Sequence, residues 1–433
     1  MSLPEVIEMT PLPGLVQAEV TVPGSKSITN RALILSCLGE GETTLEGALW
    51  SEDTQVMVEC LQELGFMINV TPDPEEPCNR TITVYGKSGH VPPGGSEEHP
   101  LELFVGNAGT AARFLAALLC LGRGVYRVQG VPRMHERPQA ALFRALRELG
   151  YRIESPNDRL PALVYGEGPR AGRCRVSIED SSQFASALML VARAGGWQVE
   201  VTGQNTEESG YVGMTAKLIE ALPKSGGVFA VEPDASSGTY FLAASETVSV
   251  KHWPRSGWQV DANFSKYSAL LLNRPPSTLE AKSESEPLCL SRRTDLGDSI
   301  MMAIVLAPLT AQTWQFTDLG RLRLQESERV AALREELSRC GAKVVESRDT
   351  LEIFPSRLHG ADIQTYQDHR MAMCFAILGL KVPGIKIKNP DCVKKTFPNF
   401  FQKLAASPPR GLGAVIHEVP SGRSLSGDDL FAQ

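Results

Sequence analysis

The sequence predicts an α/β protein of two domains, and two observations support this fold class. First, 433 residues exceed what one hydrophobic core organises, so a division into domains is expected. Second, a pattern recurs in which an amphipathic helix rich in Leu and Ala ends near a glycine and continues into a strand. The four copies place that glycine at Gly65, Gly150, Gly226 and Gly341. A recurring helix–strand element indicates a chain built from duplicated α/β modules.

The spacing of the copies predicts how the chain is organised. They span residues 53–70, 138–153, 213–231 and 328–345, and the wide gap before the last leaves room for a degraded copy around 264–272. The pattern breaks down between 248 and 294, where we expect an irregular, loop-rich region. After residue 405 the chain is rich in Pro, Gly and Ser, and we predict that 406–433 form a disordered tail.

Composition excludes several classes of protein. With 42% hydrophobic and 21% charged residues, the chain has the composition of a soluble globular protein. A net charge of −7 argues against a nucleic-acid surface, so cations for an anionic ligand would have to be concentrated in a cleft. The nine cysteines contain no C-x-x-C pair, which favours a reducing compartment over disulfides or zinc. The N-terminal residues lack a signal or transit pattern, so we expect a cytoplasmic protein that binds no membrane.

Residues 23–31, Pro-Gly-Ser-Lys-Ser-Ile-Thr-Asn-Arg, form the most informative segment. They follow a short apolar run and lead into Ala-Leu-Ile-Leu, which predicts the start of a helix. Unpaired N–H groups and the positive end of the helix dipole favour an anion there. Lys26, Ser27 and Arg31 at such a place make a site for phosphate or carboxylate. The alternative is a capped surface turn that carries two solvated cations.

Three further segments of the first half carry polar groups at predicted helix starts. A Gly-rich turn contributes Asn107 and Gly109. Arg137 stands directly before a predicted helix that begins with proline. A possible helix cap contributes Ser181, Ser182 and Gln183. Two hydroxyls and an amide suit a sugar-like diol. A plain tight turn and ordinary capping are the alternatives for any one of these residues.

The second half adds two carboxylates, two arginines and a lysine: Asp298, Glu326, Arg329, Arg370 and Lys395. Each has an ordinary alternative, such as an i,i+3 surface pair between Glu326 and Arg329. Together, acid/base carboxylates beside cations that bind phosphate and carboxylate suit an addition–elimination reaction on an anionic substrate.

At this point the chain resembles the 5-enolpyruvylshikimate-3-phosphate synthase family of enolpyruvyl transferases over roughly residues 10–404. The stretch Arg113-Phe114-Leu115 looks most like the multifunctional fungal members. The motifs that carry the resemblance occur in family order: PGSKSITNRAL, GNAGTAARFL, PRMHERP, SSQF, DASSGTYFLAA, ERVAALREELSRCGAKV, DHRMAM and KKTFPNFF.

The resemblance implies two lobes, each of three βαβαββ modules, that close on the substrates. One lobe would hold residues 25–234, and the other residues 1–24 and 235–405. It implies that the 5-hydroxyl of shikimate 3-phosphate attacks C2 of phosphoenolpyruvate while C3 is protonated, after which the tetrahedral intermediate loses phosphate. It implies no cofactor and no metal. We expect a monomer that acts on these small anionic molecules and on no nucleic acid.

The resemblance also implies roles for individual residues. The phosphoenolpyruvate site would comprise Lys26, Asn107, Gly109, Arg137, Gln183, Arg329, Arg370 and Lys395. The acceptor site would comprise Ser27, Arg31, Ser181, Ser182, Gln183, Tyr211, Asp298, Arg321 and Gln325. Asp298, Glu326 and Lys26 would be catalytic, with Asp298 facing the 5-hydroxyl and Glu326 near the methylene carbon. Burial and neighbouring charge can push the pKa values of such carboxylates apart.

The chain departs from the family pattern on the acceptor side. Gln325 stands where the family has Lys, Arg321 stands where it has Asn, and Glu208 falls on the position of a phosphate-binding Ser unless a one-residue slip brings Ser209 there. The family's Gln-Gly-Asp reads Gln-Val-Asp here and ends at Asp261. Loss of the lysine charge would cost about 1.5–3 kcal/mol of binding, and Arg321 is a possible compensation. Two alternatives follow: a paralogue acting on another cyclohexene or cyclitol acceptor, and a catalytically silent sensor of a metabolite.

Overall fold

The computed structural model describes residues 3–179, 181–203, 206–272 and 286–432, with the side chains of 206–209 excepted. The chain divides into two compact units. The terminal unit consists of Met1–Val22 and Pro233–Gln433, and the central unit consists of Pro23–Glu232.

The terminal unit begins with strands β1 (Val6–Met9) and β2 (Ala18–Val20). The strands of the central unit follow: β3 (Glu40–Leu49), β4 (Met67–Pro72), β5 (Asn79–Lys87), β6 (Leu101–Phe104), β7 (Arg123–Gln129), β8 (Ile153–Glu154), β9 (Ala162–Glu167), β10 (Gly172–Ser177), β11 (Trp197–Thr202) and β12 (Gly227–Ala230). Its helices are α1 (Lys26–Leu38), α2 (Glu52–Glu63), α3 (Gly109–Leu119), α4 (Pro132–Glu136), α5 (Ala140–Glu148), α6 (Ser182–Gly195) and α7 (Thr206–Ala221).

The rest of the terminal unit completes the fold. Its helices are α8 (Ala235–Ala244), α9 (Phe264–Leu272), α10 (Ile300–Leu306), α11 (Arg329–Arg339), α12 (His369–Gly379) and α13 (Phe400–Ala405). Its strands are β13 (Val248–Val250), β14 (Leu288–Ser291), β15 (Trp314–Thr317), β16 (Lys343–Ser347), β17 (Thr350–Phe354), β18 (Asp362–Ile363), β19 (Lys386–Lys388) and β20 (Ile416–Glu418).

One sheet pattern recurs in both units. The central unit contains sheets of strand order β12-β3-β5-β4 and β6-β7-β9-β8, and the terminal unit contains β14-β15-β17-β16 and β18-β19-β1-β20. In each, the first pair is parallel and the next two pairs are antiparallel. Within the described ranges, the third sheet of each unit is a parallel pair, β10-β11 or β13-β2. The predicted α/β class built from repeated modules is confirmed.

The glycines that mark the repeat have the backbone conformation expected of helix ends. Gly65, Gly150 and Gly341 have φ values of +89°, +89° and +91°. Each follows a helix by two residues, and the N–H groups of the glycine and its successor donate back to carbonyls of the last turn. Gly226, at φ +81°, lies directly before β12 instead.

Certain helices are buried on every side. All eleven residues of α3 and all seven of α10 are buried, as are ten of the eleven in α12. A helix that is apolar all round belongs at the centre of a core, with sheets and other helices around it. The N-termini of α3 and α12 are therefore held firmly in place.

Two expectations about irregular segments can be compared with the structure. The degraded copy expected at 264–272 coincides with α9, whereas residues 273–285 lie outside the described part of the chain. The prediction that 406–433 are disordered is wrong for the described residues 406–432. In this segment β20 pairs antiparallel with β1, and Leu412, Leu430 and Ala432 are buried. The prediction relied on the Pro and Gly content and overlooked scattered apolar side chains in the segment. The edge of β1 also supplies hydrogen bonds that composition does not reveal.

Among the helices of the described ranges, none combines the length and apolar character that crossing a bilayer requires.

The C-terminal segment offers a test with a built-in control. Ile416 is fully buried, whereas its neighbour Val415 is 45% exposed. We expect Ile416→Ala to lower the free energy of unfolding by about 2–4 kcal/mol because it leaves a cavity, and Val415→Ala to change it by about 0.5 kcal/mol or less. Urea unfolding measures both values. Equal, small effects would show that the C-terminal segment does not pack against the rest of the terminal unit.

Candidate active site

Each unit gathers charged and polar side chains at helix N-termini. In the central unit these are the starts of α1, α3 and α6, and in the terminal unit they are the starts of α11 and α12 together with the turn before α10. Orphan backbone N–H groups and the helix dipole make such ends favourable for anions.

Lys26 is the first residue of α1 and is fixed by a carboxylate. Its Nζ lies 3.0 Å from Oδ2 of Asp53, in the first turn of α2. The preceding turn needs glycine, because a Cβ on Gly24 would lie 2.0 Å from the carbonyl oxygen of Gly47. The predicted helix start at Lys26 is therefore present, and the ammonium group is held near the N-terminus of α1.

Arg31 is buried and donates three hydrogen bonds within the central unit. Its Nε donates to Oγ1 of Thr215 at 2.8 Å, its Nη2 to Oγ of Ser186 at 3.0 Å and its Nη1 to the carbonyl of Ser27 at 2.9 Å. These bonds tie α1 to α6 and α7. The sequence indicated a ligand-facing cation here, whereas the structure also shows a buried guanidinium that joins three helices.

Arg137 lies against the start of α3. Its Nη1 donates to the carbonyl of Asn107 at 3.0 Å, and a Cβ on Gly109 would lie 2.5 Å from its Nη2. The Oδ1 of Asn107 is buried and accepts no hydrogen bond in the structure. Gly109 thus lets a guanidinium rest on the N-terminus of a buried helix, so two sources of positive potential coincide.

Gln183 is oriented by an arginine that the sequence analysis did not select. Arg113, in α3, donates through Nη1 to Oε1 of Gln183 and through Nη2 to the carbonyl of Pro138 at 3.2 Å. Because a guanidinium only donates, the amide oxygen must face Arg113, and the NH₂ group then points towards Oγ1 of Thr110 at 3.4 Å. The amide therefore presents donors, which suit an anion.

The remaining predicted residues of the central unit lie nearby in sequence or on α7. Ser181 caps α6 by accepting a bond from the N–H of Gln183 at 3.3 Å, and Ser182 is the buried first residue of that helix. Tyr211 is half-buried in α7. The question raised by Glu208 and Ser209 falls on side chains outside the described set.

Asp298 is the centre of the terminal group. Its Oδ1 accepts from Nη2 of Arg292 at 2.7 Å and from Nε2 of Gln325 at 3.5 Å. Its Oδ2 lies 3.3 Å from Nη2 of Arg370 and 3.7 Å from Nη1 of Arg329. Burial alone would raise the pKa of Asp298, but the charges of Arg370, Arg292 and Arg329 outweigh it and hold the pKa well below its usual range.

Glu326 and Arg329 belong to a second, connected set of ion pairs. Oε1 of Glu326 lies 2.9 Å from Nζ of Lys395, and its Oε2 pairs with Nη2 of Arg329. Arg329 also binds Asp368 in a two-bond arrangement, through Nε at 2.7 Å and Nη2 at 3.1 Å. Arg329 and Asp368 are almost completely buried, so this pair fixes the start of α11 against the start of α12.

Asp368 also organises the chain before α12. It caps the helix by accepting the N–H of Arg370 at 3.0 Å, and Oγ of Ser327 donates to it at 2.9 Å. The two residues before it, Tyr366 and Gln367, have φ values of +55° and +56°, which cost strain in side chains other than glycine. A strained turn that is retained beside Asp368 indicates that the position of this carboxylate matters.

Arg321 lies in a short 3₁₀ turn, Gly320–Leu324, and is half-buried. Its compensation for the neutral Gln325 in binding an acceptor stays a prediction.

Ligand atoms of Glu326, Asp368 and His369 lie within 4.8 Å of one another, close enough to hold a metal ion. The same carboxylates already pair with Arg329 and Lys395. A divalent cation would therefore meet two positive charges, and the donor set fits an ion-pair network better than a metal site.

Sequence reasoning missed five residues of these clusters: Asp53, Arg113, Arg292, Asp261 as a partner of Asp298, and Asp368 as the partner of Arg329. Asp368 stood inside a quoted motif, and an N-cap Asp before a helix is a detectable signal. The contacts of Asp53, Arg113 and Asp261 join segments distant in sequence and carried no local signal. Arg292 lies only six residues before Asp298, in a stretch where the sequence predicted an irregular, loop-rich region.

The chain is similar to known proteins over most of its length. The family model of EPSP synthase (3-phosphoshikimate 1-carboxyvinyltransferase) matches residues 12–223 and 217–404. A 3-phosphoshikimate 1-carboxyvinyltransferase of Trichormus variabilis is 36% identical over 422 residues, covering 90% of this chain and 96% of that protein. One from Opitutus terrae is 36% identical over 440 residues, covering 94% and 98%.

Solved structures share the fold. An EPSP synthase from Acinetobacter baumannii aligns with a TM-score of 0.71 at 19% identity, covering 95% of this chain and 100% of that one. The enolpyruvyl transferase NikO from Streptomyces tendae aligns with a TM-score of 0.65 at 14% identity, covering 96% and 99%. At these identities the likeness concerns the fold alone.

Asp261 provides a pH test of the electrostatics around Asp298. Its Oδ1 accepts the N–H of Ser299 at 2.7 Å. Burial raises its pKa to about 6, with Arg370 opposing the rise and Asp298 adding to it. Because the pKa in the unfolded chain is about 3.9, folding loses up to about 3 kcal/mol of stability as pH rises from about 4 to above 6.

We expect Asp261→Asn to remove this loss, since an amide oxygen can still accept from Ser299. Relative to the wild type, the variant should gain about 2–3 kcal/mol in free energy of unfolding between pH 4 and pH 7. Urea unfolding at both pH values measures the difference, and effects independent of pH cancel. Asp349→Asn, at a side chain 61% exposed, is the control. A gain that is absent, or that runs the other way, contradicts a raised pKa at Asp261.

Proposed function

The chain belongs to the EPSP synthase family, and from this premise we propose that it transfers the enolpyruvyl group of phosphoenolpyruvate to the 5-hydroxyl of shikimate 3-phosphate and releases phosphate. It is a transferase of the shikimate pathway, which leads to the aromatic amino acids. The observation that carries the proposal is the pairing of two carboxylates, the buried Asp298 and the half-buried Glu326, with Arg329, Arg370 and Lys395.

The proposed chemistry needs both carboxylates. Asp298 takes the proton of the 5-hydroxyl as its oxygen bonds to C2 of phosphoenolpyruvate, and Glu326 supplies a proton to C3. The tetrahedral intermediate then loses phosphate as the bond between C2 and the phosphate oxygen breaks. C3 returns its proton to Glu326 to restore the double bond, and the proton held by Asp298 leaves with the phosphate. Two carboxylates in different charged surroundings suit such opposite roles.

Cations and donors in both units take part in the proposed binding. We assign phosphoenolpyruvate to Lys26, Asn107, Gly109, Arg137, Gln183, Arg329, Arg370 and Lys395. We assign shikimate 3-phosphate to Ser27, Arg31, Ser181, Ser182, Gln183, Tyr211, Asp298, Arg321 and Gln325. What supports these assignments is that most of the charged members lie at helix N-termini or in ion-pair networks that fix them in place.

We further propose that the protein acts as a cytoplasmic monomer on small molecules and on no nucleic acid. The net charge of −7 supports the last point.

Phosphate release from the two substrates tests the function. We expect turnover by the wild type and a fall of about 10²–10⁴-fold in kcat for Asp298→Asn and for Glu326→Gln, because each amide keeps the shape but cannot carry the proton. Asp349→Asn should keep full turnover. Binding of both substrates without phosphate release would favour a sensor, and binding of phosphoenolpyruvate alone would favour another acceptor.

Gly109 tests the phosphoenolpyruvate assignment. The methyl group of Gly109→Ala would lie 2.5 Å from Nη2 of Arg137 and would push the guanidinium away from the start of α3. We expect KM for phosphoenolpyruvate to rise about tenfold or more, with a smaller change in KM for shikimate 3-phosphate. Gly14→Ala, where nothing lies within 4 Å of the added methyl, is the control. An unchanged KM would remove Arg137 from the assigned site.

A further inference from the structure

The starting observation is that two side chains from different elements reach the same oxygen of Asp298. Arg292 donates to Oδ1 at 2.7 Å, and the amide of Gln325 donates to it at 3.5 Å. The shorter bond carries a full positive charge, and Arg292 is only 4% exposed. Among the described residues, the charged neighbours of Oδ2 lie farther away, Arg370 at 3.3 Å and Arg329 at 3.7 Å.

Arg292 lies at the start of a hydrogen-bonded turn. It follows β14 and opens a single wide turn, Arg292–Leu296, whose N-cap Ser291 accepts the N–H groups of Arg293 and Thr294 at 3.0 and 3.2 Å. The turn closes when the N–H of Gly297 donates back to the carbonyl of Arg292. Arg292 thus opens this turn and Asp298 follows it directly after Gly297, so the turn brings the two side chains together.

Gln325 both donates and accepts, and a lysine could only donate. Its Oε1 accepts from Nη1 of Arg329, while its Nε2 donates to Asp298. An ammonium group only donates, so a lysine at this position would lose the bond from Arg329 and would bring a further positive charge beside Arg292 and Arg329. A neutral amide at 325 therefore goes together with a guanidinium at 292.

We propose that Arg292 is the positioning residue that supplies the fixed positive charge on Oδ1 of Asp298, with Gln325 as its neutral partner, so that Oδ2 is left to receive the proton of the acceptor hydroxyl. This inference rests on the proposed function. It accounts for the departure from the family pattern at Gln325, because Arg292 supplies the positive charge that the family's lysine would have carried. It requires no change of acceptor.

Other charges around Asp298 bear on its test. Arg370 from α12, Arg329 from α11 and Asp261 from the short 3₁₀ helix Val260–Asn263 all act on this carboxyl group. Removing Arg292 leaves two arginines in place, so Asp298 keeps compensating charge and the fold is expected to survive. The loss should appear in catalysis and in the titration of Asp298.

The experiment compares four variants in turnover: Arg292→Gln, Arg292→Lys, Gln325→Lys and the double variant Arg292→Gln/Gln325→Lys. We expect kcat to fall about 10- to 100-fold in Arg292→Gln, with KM for phosphoenolpyruvate nearly unchanged, and to recover largely in Arg292→Lys. Gln325→Lys alone should lower kcat. The double variant should be more active than either single change predicts, since it moves the charge to the other side chain.

Arg293→Gln is the matched control, because it removes the same charge from an exposed neighbour in the same turn. It should behave as the wild type. Equal kcat values for Arg292→Gln and Arg293→Gln would overturn the proposal, as would higher activity in Gln325→Lys alone.

A second measurement needs no substrate. In protein labelled with carbon-13 at the Asp carboxyl groups, with Asp298→Asn as the assignment control, NMR follows the titration of Asp298. Its midpoint should move up by about one pH unit or more in Arg292→Gln and stay in place in Arg293→Gln. If the wild type releases no phosphate but this shift occurs, the proposed function fails while the positioning role stands. If the wild type is active and the shift is absent, the positioning role fails alone.

Discussion

The buried ion pair between Arg329 and Asp368 supports most of the terminal group. Its two hydrogen bonds join the first residue of α11 to the N-cap of α12, at side chains 2% and 0% exposed. Glu326 and Gln325 then bind the same guanidinium, and Gln325 passes the contact on to Asp298. A buried charge that lost its partner would be strongly unfavourable, so each of these groups holds the others in place. This pair therefore helps to hold both carboxylates in place, together with the bond from Arg292 to Asp298.

Charge balance in this network also separates two neighbouring carboxyl groups. Asp298 and Asp261 are both buried, yet the pKa of Asp298 is lowered and that of Asp261 is raised to about 6. Burial acts on both in the same direction. The difference is that three arginines act on Asp298, whereas Asp261 has the opposing charge of Arg370 and the repulsion of Asp298. A small change in arginine placement is therefore enough to choose which carboxyl group stays ionised.

Local signals predicted a definable part of this protein. The start of α1 at Lys26, three of the four glycines predicted at helix ends and the α/β class depend on neighbours in sequence, and the structure has them. Arg113 and Asp53 depend on contacts between distant segments, which a pattern along the chain does not reveal. Arg292 depends on the fold of the turn that brings it to Asp298, six residues later. The prediction of a disordered C-terminal segment was wrong for a related reason. The composition of the segment suggests disorder, but it pairs with the edge of β1, more than 400 residues earlier. Patterns along the chain therefore predicted local structure, but they did not predict which distant segments pair.

Gln325 shows why a departure from a motif is a poor guide to function until its surroundings are known. Read alone, the neutral side chain means a lost cation and invites a different acceptor. In the structure, Oδ1 of Asp298 already has a guanidinium at 2.7 Å, and the amide makes both a donor and an acceptor bond. What the site requires is a positive charge at a point in space, and two different elements of the terminal unit can supply it. The residue that matters is then identified by the oxygen it reaches, and Arg292 reaches it most closely.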